Sequence, residues 1–170
     1  MSAIPLMKEA KERFPEKGER PSWDEYFMAI TRLVASRSTC LRRSVGAVLV
    51  KRRNILTTGY NGAPSGLPHC RETGCRRMDD NVPSGQRAEI CRGLHAEQNA
   101  IVQAAFHGIS IEGATLYCTN QPCSICMKMI INAGIAEVVF ENSYDDPLSD
   151  ELVKQSGIKL RKYEGGGGNP

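Results

Sequence analysis

The spacing of apolar and polar positions predicts secondary structure from residue 22 onwards. Ser22 and Glu25 form the Ser-x-x-Glu pattern of a capping box, and apolar residues follow at helical spacing, which predicts a first helix that ends near Ser38. The runs 45–50 and 55–60 are apolar and rich in β-branched residues, and a short polar link joins them. This pattern is typical of a β-hairpin.

From His95 onwards, helical and strand-like patterns alternate, and Pro122 and Gly134 bracket the middle helix in the usual order. The predicted helices are 95–106, 123–133 and 148–155, and the predicted strands are 114–118, 136–140 and 158–162. Five strands and four helices in this order predict an α/β fold with three α/β/α layers and a five-stranded mixed sheet.

A stretch without periodicity, residues 61–92, separates the hairpin from the second half of the chain and carries many glycines and prolines. A loop of this length is uncommon in a compact domain unless it is functional or internally braced. We expect one domain over residues 21–164, preceded by a charged lead-in over 1–20 and followed by a flexible, glycine-rich tail over 165–170.

The composition limits the classes of function. Apolar residues make up 41% and charged residues 24% of the 170 positions, as in an ordinary globular protein. The net charge of +3 is too small to indicate a nucleic-acid partner, although it suits a small anionic ligand. The chain has no apolar run long enough to span a membrane, and the lead-in lacks the apolar core of a signal peptide. We therefore expect a cytoplasmic protein.

Two short motifs, each at the start of a predicted helix, carry the candidate chemistry: His95-Ala96-Glu97 and Pro122-Cys123-Ser124-Ile125-Cys126. The two cysteines lie three residues apart and so share one helix face, and the helix N-terminus lowers the pKa of a thiol there. One imidazole and two thiolates fill three zinc positions and leave the fourth for water, as in a catalytic zinc site. Glu97 is two residues from His95 and is the candidate proton shuttle.

Either motif alone is common, because a lone Cys-x-x-Cys also occurs as a redox pair. Together, His-x-Glu and Pro-Cys-x-x-Cys match the signature of zinc-dependent nucleobase deaminases. The chain resembles the cytidine/deoxycytidylate deaminase superfamily from about residue 23 to residue 163. The matching segments are VGAV at 45–48, GYNGAP at 59–64, HAEQNAI at 95–101 and PCSIC at 122–126. The GYNGAP segment and the long Cys-bearing loop favour the branch that acts on dCMP.

The resemblance implies a catalytic zinc ion bound by His95, Cys123 and Cys126, with Glu97 as the general acid and base. It implies the reaction as well: hydrolytic deamination of dCMP to dUMP and ammonia, a product that feeds thymidylate synthesis. Members of the family are commonly homo-hexamers that dCTP activates and dTTP inhibits, so we expect a homo-oligomer with these nucleotides as effectors.

The resemblance further implies three contacts with the substrate. Asn61 would contact the sugar or the phosphate, and the backbone N–H of Ala96 would lie near the base carbonyl. Tyr144 would lie against the base or the sugar.

Five cysteines lie outside the catalytic motif. We expect Cys118 to be a small core residue on a buried strand. Cys70, Cys75 and Cys91 lie in the long loop, where a second, structural zinc ion would act as a brace; related dCMP deaminases often carry such an ion. Cys40 would complete the set, with His69 as the alternative fourth ligand. The competing interpretation is a group of free thiols.

Arginines cluster around the predicted hairpin, at positions 37, 42, 43, 52 and 53. One interpretation is a solvated basic face. The other is that one or two of them bind a nucleotide phosphate, because a guanidinium forks onto phosphate oxygens. Arg42 and Arg43 are the better candidates, since they adjoin the strand that leads towards the candidate site.

Two rival functions fit the same motifs. The protein could deaminate another base, such as adenosine in tRNA, guanine or a riboflavin precursor, although the small net charge argues against a tRNA substrate. It could also be a weakly active DNA-uptake accessory protein of the same fold. Glu97 argues against that second rival, because a structural zinc site needs no carboxylate beside it.

Overall fold

The structure, a computed structural model of the chain, describes residues 20–165. The predicted lead-in, apart from Arg20, and the predicted tail beyond Gly165 lie outside these residues. None of the helices between residues 20 and 165 is long and apolar enough to cross a bilayer.

One five-stranded sheet forms the centre of the fold, in the order β2-β1-β3-β4-β5. Strand β1 pairs antiparallel with both β2 and β3, whereas β3, β4 and β5 run parallel. The mixed sheet predicted from the sequence is therefore confirmed. The strands are β1 (Gly46–Lys51), β2 (Asn54–Tyr60), β3 (Thr115–Asn120), β4 (Glu137–Asn142) and β5 (Lys159–Lys162).

Helices cover both faces of the sheet and complete three layers. In β1, Ala47 and Leu49 point to the core shared with α4, α5 and α6, whereas Val48 and Val50 point to the core shared with α1. This alternation follows from the two-residue period of a strand and explains why β1 is apolar throughout. The helices are α1 (Trp23–Ala35), α2 (Cys70–Thr73), α3 (Arg76–Asp79), α4 (Ala96–Phe106), α5 (Ser124–Asn132) and α6 (Pro147–Ser156).

The capping box at the start of α1 is formed. The Ser22 Oγ accepts a hydrogen bond from the Glu25 N–H at 3.3 Å, and the Glu25 carboxylate accepts one from the Ser22 N–H at 2.7 Å. The helix ends at Ala35, a turn earlier than the predicted Ser38.

A polar network ties α1 to the sheet. The Asp24 carboxylate accepts hydrogen bonds from the Tyr117 hydroxyl at 2.7 Å and from Arg161 at 2.6 and 2.8 Å. Arg161 also donates to Glu137 at 2.8 Å. The pKa of Asp24 is lowered, chiefly by the hydrogen bond from Arg161, and burial only partly opposes this. One aspartate thus links α1, β3 and β5.

The turn between β1 and β2 has an unusual backbone. Arg52 and Arg53 have φ values of 51° and 65°, in the left-handed region that favours glycine and asparagine. The Arg53 guanidinium lies 5.0 Å from the centre of the Trp23 ring, and both arginines are exposed.

The stretch 61–92 is more ordered than the sequence predicts. It contains the single-turn helices α2 and α3 and a 3₁₀ turn at Ala88–Ile90. Cys70, Cys75 and Val82 are its buried apolar residues. The prediction of an irregular loop was wrong at these turns, because helices of one turn are too short to give a recognisable apolar period.

Candidate active site

The three predicted metal donors meet at the N-termini of two helices. His95 is the N-cap of α4, Cys123 is the N-cap of α5, and Cys126 lies in the first turn of α5. The His95 Nδ1 is 3.2 Å from the Cys126 Sγ and 3.4 Å from the Cys123 Sγ. Within residues 20–165, only this set brings three His, Cys, Asp or Glu donor atoms within 4.8 Å of one another.

The start of α4 is held by side chains of its own first turn. The side-chain oxygen of Gln98, Oε1, accepts a hydrogen bond from the His95 N–H at 2.8 Å. The side-chain amide of Asn99 donates to the Tyr60 backbone carbonyl at 2.7 Å. Gly59 allows the helix to approach this closely, since a Cβ there would overlap the Ala96 carbonyl oxygen. The end of β2 and the start of α4 therefore form one unit beneath His95.

The charges of the three donors are coupled. The pKa of Cys123 is lowered to about 4, first because Cys126 donates a hydrogen bond to its sulfur and then because His95 does so, while burial opposes the change. The pKa of Cys126 is raised by the same hydrogen bond and by burial. Contact with Cys123 also raises the pKa of His95. The expected lowering of a thiol pKa at the helix N-terminus is thus seen at Cys123, whereas the hydrogen bond between the two sulfurs raises the pKa of Cys126.

This donor set fits zinc. Zinc binds one nitrogen and two sulfur ligands in tetrahedral geometry, and three protein ligands leave one position for water or substrate. Binding a metal requires Cys126 to lose its proton, so metal affinity rises with pH.

Glu97 lies beside the donors in the first turn of α4. Its side chain is almost completely buried, at 4% exposure, and it lines the same cavity as the donors. Burial raises the pKa of Glu97, and a backbone hydrogen bond and the nearby His95 only partly offset this. A carboxyl group with a raised pKa can both accept and release a proton near neutral pH.

A cavity of about 190 Å³ opens onto this site. Every residue predicted from the sequence to contact the substrate lines it: Arg42, Arg43, Asn61, Ala96 and Tyr144.

Within the cavity wall, Asn61 has a structural task. Its side-chain oxygen accepts a hydrogen bond from the Val45 N–H at 2.9 Å, and its side-chain NH₂ group donates one to the Arg43 backbone carbonyl at 2.9 Å. Asn61 therefore holds the chain that enters β1.

The guanidinium groups in the wall differ in their partners. Arg43 donates to the Ser84 hydroxyl at 2.7 Å and lies 5.5 Å from the centre of the Tyr144 ring. The Arg42 Nη1 and the Arg77 Nε are buried and have no hydrogen-bond partner among residues 20–165. Sequence reasoning missed Arg77, because α3 gave no periodic signal that could orient it; the adjacent pair Arg76-Arg77 was the only hint.

The loop cysteines line the cavity as well, together with Cys40. Burial raises the pKa of Cys70, and so does the proximity of Cys75, Cys40 and Cys91. They are neighbours, but no three of them reach the 4.8 Å spacing of the first site. The alternative ligand, His69, has its Nδ1 3.1 Å from the Thr39 hydroxyl.

An α/β/α sheet that presents one imidazole, two thiols and a buried carboxyl at two helix N-termini has the arrangement of the zinc-dependent deaminases. The family model described as the cytidine and deoxycytidylate deaminase zinc-binding region matches residues 21–142. The chain belongs to this family.

Individual relatives agree with the family match. The deoxycytidylate deaminase of Schizosaccharomyces pombe is 42% identical over 145 residues, which cover 85% of this chain and 45% of the relative. ComE operon protein 2 of Bacillus subtilis is 42% identical over 147 residues, covering 86% of this chain and 74% of the relative. The chain thus spans less than half the length of the yeast relative.

Among solved structures, the crystal structure of dCMP deaminase from the cyanophage S-TIM5, in complex with dCMP and dUMP, superposes with a TM-score of 0.71. The identity is 35%, and the match covers 85% of this chain and 99% of the phage protein. The predicted cytidine-deaminase-like fold is confirmed.

Proposed function

We propose that this protein catalyses the hydrolytic deamination of dCMP to dUMP and ammonia. The observation that carries the proposal is the meeting of His95, Cys123 and Cys126 with the buried Glu97 in one cavity. The yeast relative is named for the same reaction, and the phage structure holds both dCMP and dUMP.

The metal site would be formed by His95, Cys123 and Cys126. A zinc ion bound there would act as a Lewis acid and would lower the pKa of water to about 7. His95 and the two sulfurs offer one neutral and two anionic donors, so the ligands balance the charge of the ion. Glu97 lies within the same wall and is not needed as a ligand.

Glu97 would move the protons. It accepts a proton from the attacking water as the new C–O bond forms at the amino-bearing ring carbon, and it delivers that proton to the ring nitrogen. It then carries the hydroxyl proton to the amino group, the C–N bond breaks, and ammonia leaves. Water thus supplies one oxygen and two hydrogens, and the ring carbon that carried the amino group becomes a carbonyl.

The remaining wall would bind the nucleotide. Arg42 and Arg77 each have a buried guanidinium nitrogen without a partner in the described chain, which a phosphate oxygen would satisfy. Arg43 is already engaged with Ser84 and Tyr144, so its task is to hold Tyr144 against the base or sugar. The Ala96 N–H would meet the base carbonyl. Asn61 would add a contact to the sugar or phosphate.

A substrate panel tests the proposal. The purified protein is given dCMP, CMP, deoxycytidine, dCTP or adenosine, and ammonia release is followed. We expect the highest kcat/KM with dCMP, and a rate of ammonia release that is at least about 100-fold lower with the Glu97→Gln variant. A preference for adenosine or for free deoxycytidine would overturn the assignment.

The second candidate function is an accessory role with little turnover. It is favoured by the Bacillus relative named ComE operon protein 2, which is as similar to this chain as the yeast relative. Glu97 argues against this candidate, because a buried carboxyl beside three metal donors is costly unless it is used. Absence of ammonia release from every nucleotide would favour it.

We further propose a second, structural zinc ion in the long loop. Cys70, Cys75 and Cys91 would bind it with Cys40 or His69 as the fourth ligand. Support comes from the proximity of the four cysteines around the cavity and from the scarcity of apolar residues in the loop. We expect two zinc ions per chain by elemental analysis and one in Cys75→Ser. One ion per chain in the unmodified protein would rule the site out.

The expected homo-hexamer, the effectors dCTP and dTTP, and the cytoplasmic location stay predictions that rest on the family resemblance. Light scattering after size exclusion measures the assembly. Initial rates with dCMP in the presence of each triphosphate measure the regulation.

A further inference from the structure

The first turn of α6 encloses the segment that carries Cys123. Asp146, the N-cap of α6, accepts a hydrogen bond from the Ser124 N–H at 2.7 Å through Oδ2. Its other oxygen, Oδ1, accepts one from the Ser149 N–H at 3.1 Å. One carboxylate therefore caps its own helix and also holds the first residue of α5.

Ser149 secures the same segment on its other side. The Ser149 Oγ donates a hydrogen bond to the Pro122 carbonyl at 2.9 Å, and the residue is fully buried. The residues immediately before and after Cys123 are thus both bound to the first turn of α6. Cys123 itself lies between two fixed points.

We propose that Asp146 and Ser149 are positioning residues for Cys123, holding its backbone so that its sulfur meets His95 and Cys126 before a metal binds. The proposal deepens the proposed function, since it concerns the same metal site. Groups that orient metal ligands without touching the metal typically contribute about 10- to 100-fold to metal affinity.

The amide variant of Asp146 removes one of the two links. Asp146→Asn has one oxygen for two N–H donors, and its NH₂ group repels whichever N–H it faces, that of Ser124 or that of Ser149. Ser149→Ala is the variant that separates the link to α5 from helix capping, because it keeps the Asp146 cap.

Ser149→Ala removes the link to Pro122 and leaves the backbone of α6 intact. The matched control for Asp146→Asn is Asp150→Asn, which makes the same change of charge in the first turn of α6. Asp150 is exposed and accepts only from the Gln121 side chain, at 3.1 Å.

The experiment measures zinc release from the zinc-loaded protein to a chromogenic chelator. The phase that belongs to this site is the one missing in Cys123→Ala. We expect this phase to be about 10- to 100-fold faster in Asp146→Asn and in Ser149→Ala, and unchanged in Asp150→Asn. The Co²⁺-loaded variants should also show a shifted sulfur-to-cobalt charge-transfer band.

Release rates within twofold of the unmodified protein in both variants would overturn the proposal. So would a loss of thermal stability of the metal-free variants with no change in release, since that result indicates a structural role alone. If Asp146→Asn does not fold, Ser149→Ala decides the question. The measurement needs no dCMP turnover, so a protein inactive on dCMP still tests this inference.

Discussion

At the scale of single residues, the proton-transfer role of Glu97 can be tested without changing the fold. Replacing it with glutamine keeps its size and its place in the buried wall but removes proton transfer. We expect Glu97→Gln to lose about 10²- to 10⁴-fold in kcat with dCMP and to keep its zinc. Ammonia release and elemental analysis measure the two effects. An active variant, within tenfold of the unmodified protein, would contradict the role given to Glu97.

Arg42 and Arg77, each with one buried guanidinium nitrogen that has no partner among residues 20–165, give a second prediction at this scale. We expect Arg42→Met and Arg77→Met each to lower kcat/KM for dCMP by about 10- to 150-fold, because a charge-assisted hydrogen bond is worth about 1.5–3 kcal/mol. Deoxycytidine lacks the phosphate, so its much weaker turnover should change little. The control is Arg71→Met, which lies on α2 outside the cavity lining. Equal losses with both substrates would argue against phosphate binding.

At the scale of secondary-structure elements, the attachment of α1 to the sheet depends on pH through Asp24. Its folded-state pKa lies below the unfolded value of about 3.9, so the stability it supplies is present above that value. This stability is lost as the pH falls through the folded-state pKa.

We therefore expect Asp24→Asn to lower the free energy of unfolding by about 1–2 kcal/mol at pH 7, with the difference shrinking below about pH 4. Urea denaturation of both metal-free proteins across this range measures it. The comparison cancels the other carboxylates, which titrate in both proteins. A difference that stays constant down to pH 2 would show that the network does not act through the charge of Asp24.

At the scale of the whole molecule, the α/β/α order and the mixed sheet could be predicted because each long element has a clear apolar period. The β1–β2 hairpin and the parallel second half both follow from that period and from the connections. The turns α2 and α3 could not be predicted in this way, since four residues do not complete a recognisable period.

Likewise, some features of the candidate site could be predicted from local sequence, whereas others depend on tertiary packing. The metal ligands His95, Cys123 and Cys126 could be predicted, because helix starts and the Cys-x-x-Cys spacing are local features of the sequence. Arg77 was not visible, because only tertiary packing brings α3 to the cavity. The opposite pKa shifts of the two cysteines depend on one hydrogen bond and on burial, which no spacing reports.

A zinc ion at the proposed site would connect distant parts of the chain, so its removal tests the molecule as a whole. His95 and Cys123 lie on different helices, and an ion bound by both stabilises the folded state over the unfolded chain. With free zinc at 100 times the dissociation constant, the gain is about 2.7 kcal/mol, which corresponds to about 5–10 °C in Tm. Calorimetry before and after chelation measures the loss, and zinc but not magnesium should restore it. An unchanged Tm would contradict a metal bridge between α4 and α5.

The β1–β2 turn is a position at which the thermal stability of the protein could be raised. An L-residue with a side chain in the left-handed region costs about 1–2 kcal/mol, and Arg52 accepts that cost at an exposed position that is not part of the cavity wall. Glycine at this one position would relieve the backbone, while Arg53 would keep its place over Trp23. We therefore expect Arg52→Gly to raise the Tm through the part of this cost that exceeds the conformational entropy that glycine adds to the unfolded chain, about 0.4–1 kcal/mol, with no effect on the cavity.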